Sequence, residues 1–235
     1  MLAGQQAVTL SRAERLRTHR KLGTVRARGY ALAVAAMTAG LGAFLLSRIE
    51  TWPPHEDETL VLFVSRQPLG DLFATVVSER GGAPLHFLLA HVVATVSPGL
   101  TGLRLISIAF AVASVPVIAA LVSRLTDRRT ALVATAIVAA SWMTIYHGLY
   151  GRMYGLFLFA SALSFLVLLY AVDDGRRRTW ALWAVAALAA IATQPYGALV
   201  VGVQAVYVAV RRVPRMRSHG QARRRRGARR TGGQR

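Results

Sequence analysis

The sequence predicts an all-α protein, a polytopic transmembrane helix bundle of about six spans with one further helix lying on the outer face of the membrane. Three observations carry this. Of the 235 residues, 54% are hydrophobic but only 8% aromatic, and mean hydropathy is positive at +0.42, a balance foreign to a soluble domain that buries one core. The apolar residues come in long Ala/Val/Leu runs, on the scale of the roughly 20 residues a helix needs to cross hydrocarbon. The net charge of +19 is concentrated at the ends of those runs, where Lys and Arg govern orientation. The absence of cysteine excludes disulfides, thiolate metal sites and cysteine nucleophiles.

Residues 1–29 form a basic segment, with seven Lys and Arg against one acid, expected in the cytoplasm. The first span is 30–47. Ser47-Arg48-Ile49-Glu50 offers no small-residue cleavage site after it, so the span reads as an uncleaved signal anchor. Residues 48–102 follow as an outer loop that holds six of the ten acidic residues. Inside this loop, the apolar stretch 84–97 is short for the bilayer and is interrupted by His86 and His91. Parity decides its place: if it does not cross, Arg124–Arg129, Asp173–Arg178 and the arginine-rich tail all fall inside, and if it crosses all three fall outside, against the positive-inside bias. It is therefore interfacial or re-entrant. The remaining spans are 103–123, 131–148, 155–172, 179–193 and 196–210. The last two form a tight pair around Gln194-Pro195, because proline lacks the amide donor a helix requires. The core 30–210 ends in a tail, 211–235, that carries eleven of the 29 basic residues and is expected to be disordered. Both termini are thus cytoplasmic in a multi-pass plasma-membrane protein. Ala36 with Gly40 and Ala39 with Ala43, small residues at helical spacing, predict close helix approach on the first span. No internal repeat supports an inverted-repeat transporter.

This topology gathers the chemistry on the outer face: His55-Glu56-Asp57-Glu58, the Gly81–His86 turn, Arg104, and the stretch Tyr146–Tyr154. Arg152 is the most unusual cation, since it runs against the positive-inside bias where an apolar helix begins, and it needs an anionic partner. Asp57 or Glu58 as an ion pair and a lipid phosphate both satisfy that need. The acidic trio has two readings as well, a solvated loop or a held set of carboxylates containing a base. Trp52-Pro53-Pro54, which stiffens the approach to the trio at the interface, favours the second, as does the amphipathic stretch at Asp71-Leu72-Phe73. His86, His91 and His147 match no zinc spacing, and interfacial histidines with satisfied hydrogen bonds are the plainer expectation.

In their order, these features resemble the C superfamily of membrane glycosyltransferases (GT-C), in its bacterial protein-mannosyltransferase-like group. Asp57-Glu58 is similar to that group's outer-loop acidic pair, Pro84-Leu85-His86-Phe87 to its Pro-Leu-aromatic helix, Arg104-Leu105 to its Arg-Leu-led span, and Gly151-Arg152-Met153-Tyr154 to its Arg-Met-Tyr motif. Thr193-Gln194-Pro195-Tyr196-Gly197 looks like the group's Thr-His-Pro-Tyr-Gly turn with glutamine for histidine. The resemblance covers 30–210. Tyr150-Gly151 stands where such proteins often carry Glu-Ala, and Gly82-Ala83 where they carry His-Pro. Similar proteins are considerably longer. The arginine-rich end therefore reads either as a membrane-surface anchor or as the out-of-frame close of a truncated reading frame, the second being the expectation.

The resemblance implies inverting transfer of a sugar from a polyprenyl-phosphate-linked donor to a glycan, lipid or protein acceptor at the outer face. Under it, Asp57 is the catalytic base, with Glu58 holding it or binding acceptor hydroxyls. Arg152, Tyr154, His86 and Arg104 bind substrate, and no metal or other cofactor is required. Two rivals share the fold: a non-catalytic membrane fragment or subunit, and a small transporter. A nucleic-acid partner is disfavoured, since the basic tail lacks interleaved aromatics; membrane lipids are the expected surroundings.

Overall fold

The computed structural model describes residues 12–211, with side chains from Ala27 onward. The expectation for the tail 211–235 falls almost wholly outside the described residues. Ten helices form: α1 Arg12–Arg48, α2 Glu56–Ser65, α3 Leu69–Glu79, α4 Leu85–Ala94, α5 Leu100–Leu125, α6 Arg128–Ala140, α7 Trp142–Leu149, α8 Tyr154–Asp174, α9 Arg177–Thr193 and α10 Gly197–Arg211. The described residues contain no strand, so the helical membrane bundle is as expected.

Helix α5 is the hub, packing on α1, α6, α7 and α8, while α9 packs on α8. Its contact with α8 is close because Gly155 presents no side chain: a Cβ there would lie 2.6 Å from the Ser107 carbonyl oxygen. The α1–α5 contact is built differently from the small-residue expectation. Val34, Leu41 and Leu45 are buried, the last two in a cluster with Ile108, Ala111, Val115 and Leu149, whereas Ala36, Ala39, Gly40 and Ala43 are exposed. The large residues make this interface because they lie on the stripe that faces α5. A polar chain ties the last helices together: Trp183 Nε1 donates to Gln204 Oε1 at 2.8 Å and Gln204 Nε2 to Ser164 Oγ at 2.7 Å. Gln204 is fully buried, where no water could replace these bonds.

Span by span the outcome is mixed. By length and composition α5, α8 and the Ala27–Arg48 part of α1 are long and apolar enough to cross a membrane. The expected span 131–148 is broken at Ser141, whose extended backbone ends α6 and whose hydroxyl caps Thr144 N–H of α7 at 3.2 Å; the two pieces bend by 49° and make a fourth span only if taken together. Helix α9, at 17 residues, extends ~26 Å against a hydrocarbon thickness of about 30 Å. Helix α10 is shorter still, so length and composition support three to four spans, not six. Helix α4, with 10 residues, reaches only ~15 Å and cannot cross alone.

The two ends of the bundle carry different chemistry. At one end Tyr30 OH donates to the Ala119 carbonyl at 2.8 Å, Arg124 pairs with Asp173, and Arg128 lies over the Tyr30 ring. At the other lie the end of α1, the loop to α2, the start of α5 and the α7–α8 turn. The turn at Gly81 approaches Pro195 of the α9–α10 break, where an added Cβ would lie 3.9 Å from the proline ring.

Candidate active site at one end of the bundle

The acidic trio is the first turn of α2. Glu56, Asp57 and Glu58 sit where the helix dipole favours negative charge, and a capping box fixes the turn. His55 Nδ1 accepts from Asp57 N–H at 3.2 Å, and Glu58 Oε2 accepts from His55 N–H at 3.2 Å. The held-carboxylate reading therefore describes Asp57 and Glu58 better than a solvated loop does.

Glu58 is 1% exposed and Arg104 5%. Arg104 donates Nε–H to Oε1 at 2.9 Å and Nη2–H to Oε2 at 2.8 Å. Its remaining three N–H groups go to the carbonyls of Ile49 (2.7 Å), Trp52 (3.1 Å) and Pro53 (3.2 Å). Gly151 N–H donates to Glu58 Oε1 at 2.8 Å. A guanidinium has five donors and a carboxylate about four acceptor positions, and here both sets are full. Burial alone would raise the Glu58 pKa, but the bonds from Arg104, Gly151 and His55 hold it below the usual carboxylate range. Arg104 thus has no donor left for a substrate and Glu58 no lone pair for an acceptor hydroxyl. In this structure Arg104 clamps the loop after α1, and Glu58 holds the turn that carries Asp57.

Asp57 is open. Its side chain is 46% exposed, and each oxygen has one strong partner. Arg152 Nη1 lies 2.8 Å from Oδ1 and Tyr150 OH donates to Oδ2 at 2.8 Å. The Tyr150 bond is the largest influence on the Asp57 pKa and lowers it; burial, next in size, opposes it, and the charge and hydrogen bond of Arg152 add to the lowering, so the group is a carboxylate at neutral pH. Arg152 side chain is 17% exposed, and its Nε is buried without a partner. Of the two anionic partners the sequence left open, the ion pair with Asp57 is the one formed here.

His86 is 1% exposed and neither ring nitrogen has a partner. Burial, with the charge of Arg152 nearby, depresses its pKa to about 4, so the ring is neutral. The ring is enclosed between neighbours and exposes almost no surface in this structure. His91 is satisfied through Nδ1 on the Ser65 carbonyl at 2.8 Å. Tyr154 opens α8 with its ring 4.2 Å from that of His147 and nearly parallel to Tyr150 at 6.4 Å. Beside it lies an apolar cavity of about 470 Å³ walled by Met143, His147, Tyr154, Phe157, Leu158 and Val200.

A family model described as dolichyl-phosphate-mannose-protein mannosyltransferase matches residues 82–220, more than half of the chain. The chain belongs to that family. No curated protein and no solved structure matches it. As a member of the dolichyl-phosphate-mannose-protein mannosyltransferase family the chain is a membrane glycosyltransferase of the GT-C type. The match takes in His86, Arg104, Arg152 and Tyr154 but begins after Asp57 and Glu58, so it is geometry that ties the acidic pair to the matched region. Tyr150, Gly151 and His55 stood among the outer-face residues named from the sequence, but none was given a role there. The His55-x-x-Glu58 spacing of a capping box was a usable signal for His55, with histidine in an unusual capping role.

Proposed function

We propose that the protein transfers a sugar, with inversion, from a polyprenyl-phosphate-linked donor to an acceptor hydroxyl at the outer face of the plasma membrane, its termini being cytoplasmic. The observation that carries this reading is the Asp57–Arg152 pair: an accessible, ionised carboxylate and a guanidinium, 2.8 Å apart, at one end of a membrane bundle and next to an apolar cavity. Arg152 is the group for the donor phosphate, since a guanidinium can hold two of its oxygens. Asp57 is the base for the acceptor hydroxyl. The cavity beside Tyr154 suits the first isoprene units, and Tyr154 the sugar or phosphate at its mouth.

The pair as it stands is a resting state. In an in-line displacement the base and the phosphate-binding cation lie on opposite sides of the anomeric carbon, on the order of 8 Å apart, as the two catalytic groups of inverting glycosidases do. The donor phosphate must therefore draw Arg152 away from Asp57. The acceptor hydroxyl then attacks the anomeric carbon as its proton passes to Asp57, the carbon–oxygen bond to the phosphate breaks, and polyprenyl phosphate leaves with its charge against Arg152. Water later takes the proton from Asp57. Asp57→Asn tests the reading, because it removes the base with little change of volume. Transfer from a polyprenyl-phosphate sugar by the detergent-purified protein is expected to fall by about 10²–10⁴ while the protein stays folded and binds donor. Near-normal turnover would overturn the assignment.

A further inference from the structure

Once Arg152 leaves, the α2 capping box holds only the Asp57 backbone; the carboxylate itself keeps a single strong bond. That bond comes from Tyr150, whose hydroxyl lies 2.8 Å from Oδ2. Tyr150 is itself closely packed. It is 8% exposed, its N–H donates to the Tyr146 carbonyl at 2.9 Å, its ring runs parallel to Tyr154 at 11°, and the His55 ring meets it edge-on at 5.1 Å. The two partners of Asp57 are thus unlike: one a long cation with an unpartnered buried Nε, free to find a better arrangement, the other a rigid phenol packed on three sides.

We propose that Tyr150 is the positioning residue of Asp57, gripping Oδ2 so that Oδ1, the oxygen that Arg152 vacates, stays aimed to take the proton of the acceptor. The inference rests on the functional reading above and adds which oxygen acts and what holds it. In the transfer step the acceptor O–H bond breaks toward Oδ1, the new glycosidic bond forms, the bond to phosphate breaks, and the Tyr150 proton stays on the phenol throughout. A phenol donating to a carboxylate gives a strong charge-assisted bond. It disfavours the protonated acid, in keeping with the low Asp57 pKa and the raised Tyr150 pKa, for which burial and then the Asp57 bond are the causes. The grip therefore keeps the base ionised and ready, at the cost of some basicity.

The titratable groups around this pair are few. Asp57 faces Arg152 and His55, whose Nδ1 is 3.9 Å from Oδ2, and follows the exposed Glu56; Tyr150 faces His55, Tyr146, His147 and Tyr154. His55 Nδ1 is also 2.8 Å from the Tyr150 hydroxyl. Its single acceptor lone pair is already engaged by Asp57 N–H, so it is the weaker rival for the phenolic proton, which goes to the charged Oδ2.

The test is a binding titration that needs no turnover. Polyprenyl-phosphate mannose is a phosphodiester of fixed charge, so between about pH 3 and 7 a change in its affinity reports groups on the protein. In the parent, affinity should rise as pH falls through the Asp57 pKa, because protonation releases Arg152 from its internal rival. Asp57→Asn should lose that inflection and bind more tightly at neutral pH. Tyr150→Phe keeps the ring and its stacking, and the inflection should move to higher pH while thermal unfolding stays near that of the parent. If Tyr150→Phe leaves the inflection where it was, Tyr150 is packing alone and the proposal fails, though the Asp57–Arg152 reading stands. If the parent and Asp57→Asn titrate alike, the competition between Asp57 and phosphate for Arg152 is absent and that reading fails as well.

Discussion

Arg104 and Glu58 close a circuit in which every N–H of the guanidinium is taken and each carboxylate oxygen has two donors, with the pair itself bonded at 2.9 Å and 2.8 Å. Removing one member leaves the other charged, buried and unpaired, a change that costs about 3–5 kcal/mol. Glu58→Gln is therefore expected to lower the thermal unfolding temperature in detergent clearly. Arg104→Lys should do so too, since an ammonium has three donors where five are used. A melting temperature unchanged in both variants would show that the loop 49–53 and the α2 turn are held by something else.

The same pair gives a pH dependence with a definite sign. The Glu58 pKa is lower folded than unfolded, so its contribution is complete above the ordinary glutamate range near pH 4.3 and is lost as pH falls through the depressed value. The parent should lose melting temperature on acidification below about pH 4. Glu58→Gln, already lacking the charge, should show a flatter profile over that window.

Gly151 faces two neighbours at once. A Cβ there would lie 2.9 Å from Leu103 Cγ and 3.0 Å from Glu58 Oε1, so Gly151→Ala must push the buried carboxylate or Leu103 aside. Overpacking of this kind costs about 1–3 kcal/mol. The expected result is a lower melting temperature, together with weakened transfer because the strained Glu58 carries the turn that presents Asp57.

The helical bundle and the grouping of residues at one end were legible because hydropathy and arginine placement act locally and add along the chain, whereas the central place of α5 was not. The break at Ser141 was not read, although a serine three residues before Thr144 is a usable cap signal, because one hydroxyl does little to the hydropathy of its window. Two surroundings that the sequence did not reveal share a cause. Arg104 was assigned to substrate because an isolated cation near the interface announces a need for anions or carbonyls without saying which, and its partners at Ile49, Trp52 and Pro53 lie some fifty positions away. His86 was read as an interfacial histidine, and under the resemblance as a substrate contact, because its burial depends on how α4 settles on α2 and α5, which no local pattern encodes. Asp57 and Arg152 drew attention because both stand out chemically from their surroundings, and their ion pair was one of the readings the sequence left open; that it forms, and that Tyr150 bonds the same carboxylate, needed coordinates.

The side on which α4 lies can be checked with one thiol. Gly99, the residue before α5, is exposed, and an added Cβ meets nothing within 4 Å, so Gly99→Cys should be silent for folding. With no native cysteine in the chain, an impermeant maleimide applied to intact cells should label it. Labelling only after permeabilisation would put 48–102 inside and remove the outer-face setting of Asp57 and Arg152.

Arg152 separates a structural pair from a phosphate site most directly. Its partner Asp57 is 46% exposed, and pairs screened to that degree contribute only about 0.2–1 kcal/mol to stability, so Arg152→Ala should barely change thermal unfolding. Its effect on the donor should be much larger. Losing charge-assisted hydrogen bonds worth roughly 1.5–3 kcal/mol corresponds to about 10–100-fold in affinity, read with a non-transferable polyprenyl-phosphate sugar. Arg152→Lys keeps the charge but loses the planar two-pronged grip, and should fall between Arg152→Ala and the parent. If Arg152→Ala instead binds donor as the parent does and merely unfolds earlier, Arg152 is no more than the ion-pair partner of Asp57, and the phosphate must be held elsewhere.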